Sequence, residues 1–268
     1  MNKLKYLIII FSLSVSIIYF GCESNDALPT NNVTPPPSID TAKKILVEFF
    51  TNAGCIPCVN AHHYLDQITA LSGVTYNDTN VIIISTHTQY PSPGDSLYRA
   101  NPSQSNARTT FYGINFTPQC RLDGTTMGQF SSTDWTSQMN AELQTVKYLN
   151  ISLTNNFISS NDSGVITADI SVLSALPSAT DNVIHVVITE NNVLYVTATN
   201  GITHPNDVMR KMLTGNDGQA ITLNSGTNTV VTPYKMQTNW VTGNCYLTVF
   251  IQNTVTKQVF GVERIKVN

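Results

Sequence analysis

The sequence predicts an α/β unit followed by an all-β unit. Residues 43–51 (KKILVEFFT) form a continuous apolar run that leads through a short turn into Cys55-Ile56-Pro57-Cys58 and a segment of helical periodicity. After Leu149 the texture changes to short segments of apolar–polar alternation separated by turn residues. The 268 residues are enough for two packed cores. Hydrophobic residues make up 41 % of the chain, too little for a polytopic membrane protein, and charged residues only 12 %. Thr, Asn, Ser and Gln fill the solvent-facing positions instead, as suits an exported β-rich protein. The net charge of −3 becomes more negative once Lys3 and Lys5 are removed with a leader, which excludes a basic surface for nucleic acid.

Lys3 and Lys5 precede residues 7–20, which are apolar except for three serines. At ~1.5 Å per residue the run spans about 21 Å, short of the ~30 Å hydrocarbon core, so it reads as a secretory signal rather than a permanent span. Gly21 directly before Cys22 resembles a bacterial lipoprotein signal, which implies that Cys22 is lipidated and becomes the mature N-terminus. Tyr19 and Phe20 are bulkier than that signal usually carries, and ordinary cleavage or an uncleaved anchor are the alternatives. Residues 1–21 are thus the leader. Residues 22–42, with Pro35-Pro36-Pro37 and no apolar periodicity, are a disordered tether that holds a domain clear of a lipid surface.

The run 43–51 has the β-branched and aromatic content of a buried parallel strand. Ala61, Leu65, Ile68 and Leu71 then recur at helical spacing before Gly73. The two cysteines therefore sit between a buried strand and the first turn of a helix, where free N–H groups and the helix dipole favour a thiolate on Cys55. Pro57 suits an early helical position because its missing N–H has no partner to lose. Residues 80–86 (NVIIIST) read as a second buried strand, 103–112 as a helix, 119–123 as a strand, Asp123-Gly124 as a hairpin turn and 132–148 as a closing helix capped by Thr133 or Asp134.

The order strand, C-x-P-C, helix resembles the thioredoxin superfamily, and Thr117-Pro118 ahead of the Asp123-Gly124 hairpin resembles that family's cis-proline approach. The resemblance covers residues 43–148, about 40 % of the chain. It implies Cys55 as the attacking thiolate, Cys58 as the resolving thiol, and Thr117 with Pro118 shaping a substrate groove. In that family a buried carboxylate six residues before the first cysteine relays a proton, whereas Glu48 lies seven residues before Cys55. Either the turn absorbs the extra residue and Glu48 keeps the role, or its carboxylate points away from the disulfide. Val59 after Cys58 excludes haem attachment, and no cofactor is implied.

Cys55, Cys58 and His62 lack an evident fourth ligand for zinc, so no metal is assigned, and His62 and His63 read as helix-surface residues. His87 closes the second strand, where α/β sites gather, and reads either as a group that tunes thiolate formation or as a loop histidine. Cys120 and Cys245 lie on strand faces. They read as buried, unpaired small hydrophobes, with a bridge between the units as the alternative.

In the second half Ile166, Ala168, Ile170 and Val172 share one face, and Ile184, Val186 and Ile188 repeat the pattern. Further strands are expected at 149–154, 219–223, 229–234, 245–252 and 258–267. Seven or so strands over 149–268 predict an antiparallel immunoglobulin-like sandwich of half-buried strands. Residues 204–215, which carry Arg210 and Lys211, break the alternation and read as a short helix or a long excursion.

A lipoprotein leader, a unit opening with Val47-Glu48-Phe49-Phe50-Thr51 and a β-rich unit containing Arg210-Lys211-Met212-Leu213-Thr214-Gly215 together resemble a family of bacterial outer-membrane lipoproteins that joins a thioredoxin-like domain to an immunoglobulin-like sandwich. The resemblance implies an outer-membrane lipoprotein of the cell envelope. Two functions follow from the sequence. One is an envelope thiol–disulfide oxidoreductase whose partners are protein thiols or disulfides and whose lipid anchor meets the membrane. The other is a surface binding or adhesion lipoprotein in which Cys55–Cys58 is structural. If the anchor is Cys22, then Cys22→Ser abolishes acyl labelling and releases the protein from membranes. Processing and membrane attachment unchanged in that variant would refute the lipid anchor.

Overall fold

The computed structural model describes residues 43–68 and 80–268. The leader, Cys22, the tether, Leu71 and Gly73 lie outside the described residues. The first half supplies β1 (Ile45–Thr51), α1 (Cys58–Asp66), β2 (Val81–His87), α2 (Ser96–Ala100), α3 (Pro102–Tyr112), β3 (Gln119–Leu122), β4 (Thr125–Thr126) and α4 (Ser132–Leu143). The second supplies β5 (Leu149–Ile158), β6 (Ser163–Val172), β7 (Asn182–Glu190), β8 (Val208–Met212), β9 (Gln219–Ala220), β10 (Thr227–Lys235), β11 (Cys245–Asn253) and β12 (Val259–Lys266). The protein is mostly sheet, with few helices.

β1 and β2 pair in parallel from Ile45–Val81 to Thr51–His87, and β3 adds antiparallel to the other edge of β1. Both strands are buried on both faces, which is why they read as continuous apolar runs. Ile45, Val47 and Phe49 join Cys58, Ala61 and Leu65 of α1 and Trp135 and Met139 of α4 in one core. Leu46, Ile82 and Ile84 face the opposite way, onto Val187, Met209, Phe250 and Val262 of the second half.

The sheet does not stop where the first half ends. Its order is β12-β11-β7-β8-β2-β1-β3-β4, with β9 on β7, and a separate three-stranded sheet runs β10-β6-β5. Residues 149–268 thus give five strands, β7, β8, β9, β11 and β12, to the sheet begun by β1 and β2, and three to a second layer. The two layers meet through Ile166, Ala168 and Ile170 on one side and Ile184, Val186, Leu247 and Val249 on the other. β5, β6 and β10 keep the alternation of strands with one wet face. β7 is buried at every position, because its second face covers Leu46, Ile82 and Ile84. The half-buried character expected for it is therefore corrected to full burial.

Three local expectations change as well. Residues 204–215 contain a strand, β8, parallel to β2 and antiparallel to β7, rather than a helix. The closing helix ends at Leu143, and its cap is Ser131, whose Oγ accepts the Asp134 N–H at 3.3 Å. The strand expected over 219–223 shortens to β9. The Asp123-Gly124 hairpin turn joins β3 to β4 as its sequence requires, with both residues at positive φ. A Cβ at Gly124 would stand 1.9 Å from the Lys257 carbonyl oxygen, so only glycine lets this tip seat against the turn between β11 and β12.

The buried charge that ties the halves together is Glu48. Arg108 of α3 reaches both its carboxylate oxygens at 2.7 Å, Tyr112 donates its hydroxyl at 2.6 Å, and Arg108 also donates to Gln252 of β11 at 3.0 Å. Removing one partner of a buried pair strands the other charge in a low-dielectric interior, which costs ~3–5 kcal/mol. Arg108→Met is therefore expected to lose about that much in urea unfolding, and Arg108→Met with Glu48→Met to recover much of it. Additive losses in the double variant would show that the pair is not coupled.

Candidate functional site

β1 delivers the chain to the turn 52–54, where the Cys55 N–H bonds the Asn52 carbonyl at 3.0 Å and Asn52 Oδ1 accepts the Gly54 N–H at 2.7 Å. Asn52 also donates from Nδ2 to the carbonyls of Thr88 and Ser92, which fixes the turn against the segment after β2. Cys55 and Cys58 form a disulfide with Cα atoms 5.3 Å apart. α1 starts at Cys58 with Pro57 as its cap and no side-chain capping bond. The Cys58 N–H instead points at Cys55 Sγ, 3.2 Å away, and to the Cys55 carbonyl at 3.2 Å. A thiolate on Cys55 would meet that N–H and the positive end of the helix.

Both cysteines are buried, Cys55 to 2 % exposure and Cys58 to 0 %, while Ile56 between them is 64 % exposed. A groove runs past them, walled by Gly54, Cys55, Ile56 and Pro57 on one side and by Tyr90, Pro91, Phe116 and Thr117 on the other. A second hollow shares Pro57, Phe116 and Thr117 and continues over Pro118 to Phe130. Thr117 Oγ1 donates to the Tyr90 carbonyl at 3.0 Å, which ties together the two segments of the second wall. The Thr117–Pro118 and Tyr90–Pro91 peptide bonds are both cis. Cys55 and Thr117 thus line one groove, and Thr117 and Pro118 line the hollow that adjoins it.

No protein-family model matches the chain, and no curated protein matches it. Among solved structures it is similar to HBP35 of Porphyromonas gingivalis, with a TM-score of 0.73 at 13 % identity, covering 84 % of this chain and 76 % of that one. The two share a fold. A domain of the outer membrane lipoprotein Omp28 from the same organism aligns at 17 % identity over 46 % of this chain and 91 % of its own, with a TM-score of 0.34.

Glu48 stands apart from the groove. Phe49 joins the disulfide's core while Glu48, its neighbour, projects from the opposite face of β1 into the grip of Arg108 and Tyr112. The carboxylate is committed to Arg108 and Tyr112 and points away from the disulfide, the second of the two arrangements that the sequence allowed.

His87 lies on the disulfide's side of the sheet, paired with Thr51. It is 5 % exposed, and its Nδ1 meets Asp95 Oδ2 at 2.7 Å. His87 Nε2 is buried with no hydrogen-bond partner. Asp95 is a hub. It caps α2 by accepting from Leu97 and Tyr98, accepts the Ala53 N–H at 2.7 Å, and receives the Tyr195 hydroxyl at 3.3 Å. Burial works against its charge, but the hydrogen bond and charge of His87 and the N–H groups of Ala53 and Leu97 outweigh that and hold its pKa down at about 2. Sequence reasoning passed over Asp95. The one signal available was Asp after Pro93-Gly94 ahead of a short helix, which reads as a cap and nothing more.

His62 was expected on the surface and is 4 % exposed, with Nε2 at 2.9 Å from Thr51 Oγ1 and its ring edge-on to Phe49. His63 is the exposed member of the pair. Cys120 and Cys245 are both buried free thiols. Cys120 shares the core of the disulfide, and burial raises its pKa well above the ordinary value.

The second half reaches the site through residues 191–207, the connection between β7 and β8. Asn200 N–H donates to the Ala53 carbonyl at 2.8 Å, and Asn200 Nδ2 to the Asn52 carbonyl at 3.2 Å. Thr199 Oγ1 also donates to Ala53, and the Tyr195 hydroxyl accepts the Ser96 N–H at 2.8 Å. The carbonyls of the turn into Cys55 are therefore held by the far half of the chain. Among the described residues no helix is long and apolar enough to cross a membrane, and no group of three or more His, Cys, Asp or Glu is placed to hold a metal.

Burial, then the neighbouring charges of His87 and His63, lowers the His62 pKa to about 3, against partial compensation by Asp95. The folded state therefore holds His62 neutral where the unfolded chain protonates it. That contribution to stability is complete above pH ~6.5 and is lost as pH falls from there toward 3, at up to ~1.4 kcal/mol per pH unit. Asp123, whose pKa burial raises to about 7, acts with the opposite sign, so the comparison must be between variants. Urea unfolding between pH 6.5 and 4 is expected to show His62→Gln losing less stability on acidification than the parent. Parallel curves for the two proteins would exclude a buried neutral His62.

Proposed function

We propose that the protein is a thiol–disulfide oxidoreductase of the cell envelope, anchored as a lipoprotein through Cys22. In this reading residues 43–148 are a thioredoxin-like unit and residues 149–268 an immunoglobulin-like one that shares its sheet. The observation that carries it is the meeting of the Cys58 N–H with Cys55 Sγ at the head of α1, beside a groove whose exposed apolar rim is Ile56 and Phe116, the latter 53 % exposed. The N–H and the helix dipole lower the cost of a thiolate, and the groove accepts an extended protein segment.

An external thiol couple first reduces Cys55–Cys58. The Cys55 thiolate then attacks one sulfur of a substrate disulfide, forming a mixed disulfide and releasing the other substrate sulfur as a thiol. The Cys58 thiolate attacks Cys55 Sγ, re-forms the intramolecular disulfide and frees the second substrate thiol. Electrons pass from the Cys55–Cys58 dithiol to the substrate, and the reverse sequence oxidises a substrate dithiol. Thr117 and Pro118 shape the far wall of the groove.

A second reading, a surface binding lipoprotein with a structural disulfide, is favoured by the 2 % exposure of Cys55. The two readings part on potential and on trapping. An exchange catalyst is expected between roughly −270 and −120 mV, and a structural bridge below about −300 mV. Cys58→Ser is expected to accumulate reductant-sensitive adducts from envelope extracts, and Cys55→Ser far fewer. Equal loss of stability in both variants with adducts from neither would establish the structural bridge.

A further inference from the structure

Resting on the exchange reading above, we infer that His87, oriented by Asp95, is the base that takes the proton from Cys58 during resolution. Cys58 is 0 % exposed among Phe49, Ala61 and Trp135, surroundings that oppose ionisation of a thiol. Its proton must go to a group on its own side of the sheet. Glu48 is on the other side and bound to Arg108. His62, one helical turn after Cys58, has its Nε2 taken up by Thr51. His87 sits beside Thr51 in the strand register, so its ring adjoins that same layer.

The chemistry of the pair is set by Asp95. An ionised carboxylate accepts, so His87 Nδ1 donates to Asp95, and the proposed base is the lone pair of the other ring nitrogen, Nε2. That lone pair is buried without a partner. The groups facing the pair are His62 from α1 and Tyr195 from the 191–207 connection, which donates to Asp95. Asp95 is the only carboxylate among them, and it stands where an imidazolium would need one.

The step balances as follows. The Cys58 S–H bond breaks and its proton passes to His87 Nε2, giving imidazolium held against the Asp95 carboxylate. Cys58 Sγ bonds to Cys55 Sγ as the Cys55–substrate S–S bond breaks, and the leaving substrate thiolate is protonated by the imidazolium. Asp95 acts through His87 and is a positioning residue. Its bond to the Ala53 N–H couples the pair to the turn that presents Cys55.

The test uses the full chain with Cys55 loaded as a mixed disulfide with glutathione. His87→Asn keeps an amide donor for Asp95 and removes the Nε2 base. It is expected to slow glutathione release about tenfold or more at pH 7 and to displace the pH–rate profile to higher pH. In a Cys55→Ser background, the pH dependence of Cys58 alkylation is expected to shift upward with the same substitution, a readout that needs no substrate. His87→Gln serves if His87→Asn melts early. Unchanged release and an unchanged alkylation profile would overturn the assignment, while adducts trapped by Cys58→Ser would leave the exchange reading standing. No adducts from Cys58→Ser would sink the exchange reading, and the alkylation profile would still decide whether His87 takes the Cys58 proton.

Discussion

The free edge of β2 is the constraint from which the rest of the architecture follows. β1 and β2 are apolar on both faces and parallel, and β3 closes the outer edge of β1. The outer edge of β2 must find hydrogen-bond partners elsewhere, since buried backbone groups do not stay unpaired. β8 provides them, with the Ser85 N–H on the Asp207 carbonyl at 2.8 Å. Once β8 runs parallel to β2, its antiparallel partner β7 and then β11 and β12 extend the sheet and turn back over Leu46, Ile82 and Ile84. Because Val208, the first residue of β8, pairs with Ser85 near the end of β2, the chain enters β8 close to the carboxyl ends of β1 and β2. That is where Cys55 lies, and it explains why Thr199 and Asn200 hold the turn before it.

Two buried ionic groups divide the faces of this sheet between them. On one face Glu48, Arg108, Tyr112 and Gln252 form a fully hydrogen-bonded set that stitches β1 to α3 and β11. On the other, His87 and Asp95 are paired with one ring nitrogen left over. The first arrangement satisfies its charge and is inert. The second leaves Nε2 of His87 without a partner, on the side of the sheet that carries the disulfide.

What the sequence made legible was whatever depends on neighbours in the chain. The apolar run of β1, the junction at Cys55, the hairpin at Asp123-Gly124 and the alternation of β6 are local patterns, and each lies where its pattern places it. β8 was illegible because residues 208–212 become a strand only by filling the edge of β2, some 120 positions earlier. The burial of His62 and the commitment of Glu48 depend on Thr51, Phe49 and Arg108 being where the fold brings them. Asp95 carries the signature of a helix cap, and its larger role arises from Ala53, His87 and Tyr195, none of them nearby in sequence except His87.

The seating of Gly124 against Lys257 has a consequence for how the chain matures. Its partner bond, from the Val259 N–H to the Asp123 carbonyl at 3.0 Å, joins positions more than 130 residues apart. A polypeptide emerging amino end first thus carries the β3–β4 tip, the open edge of β2 and the bare Leu46 face exposed until almost its last residues appear. Such long-range closure makes folding slow and leaves unpaired strand edges open to other chains. A truncation after β10 would leave the amino-terminal half open rather than shorten an independent tail.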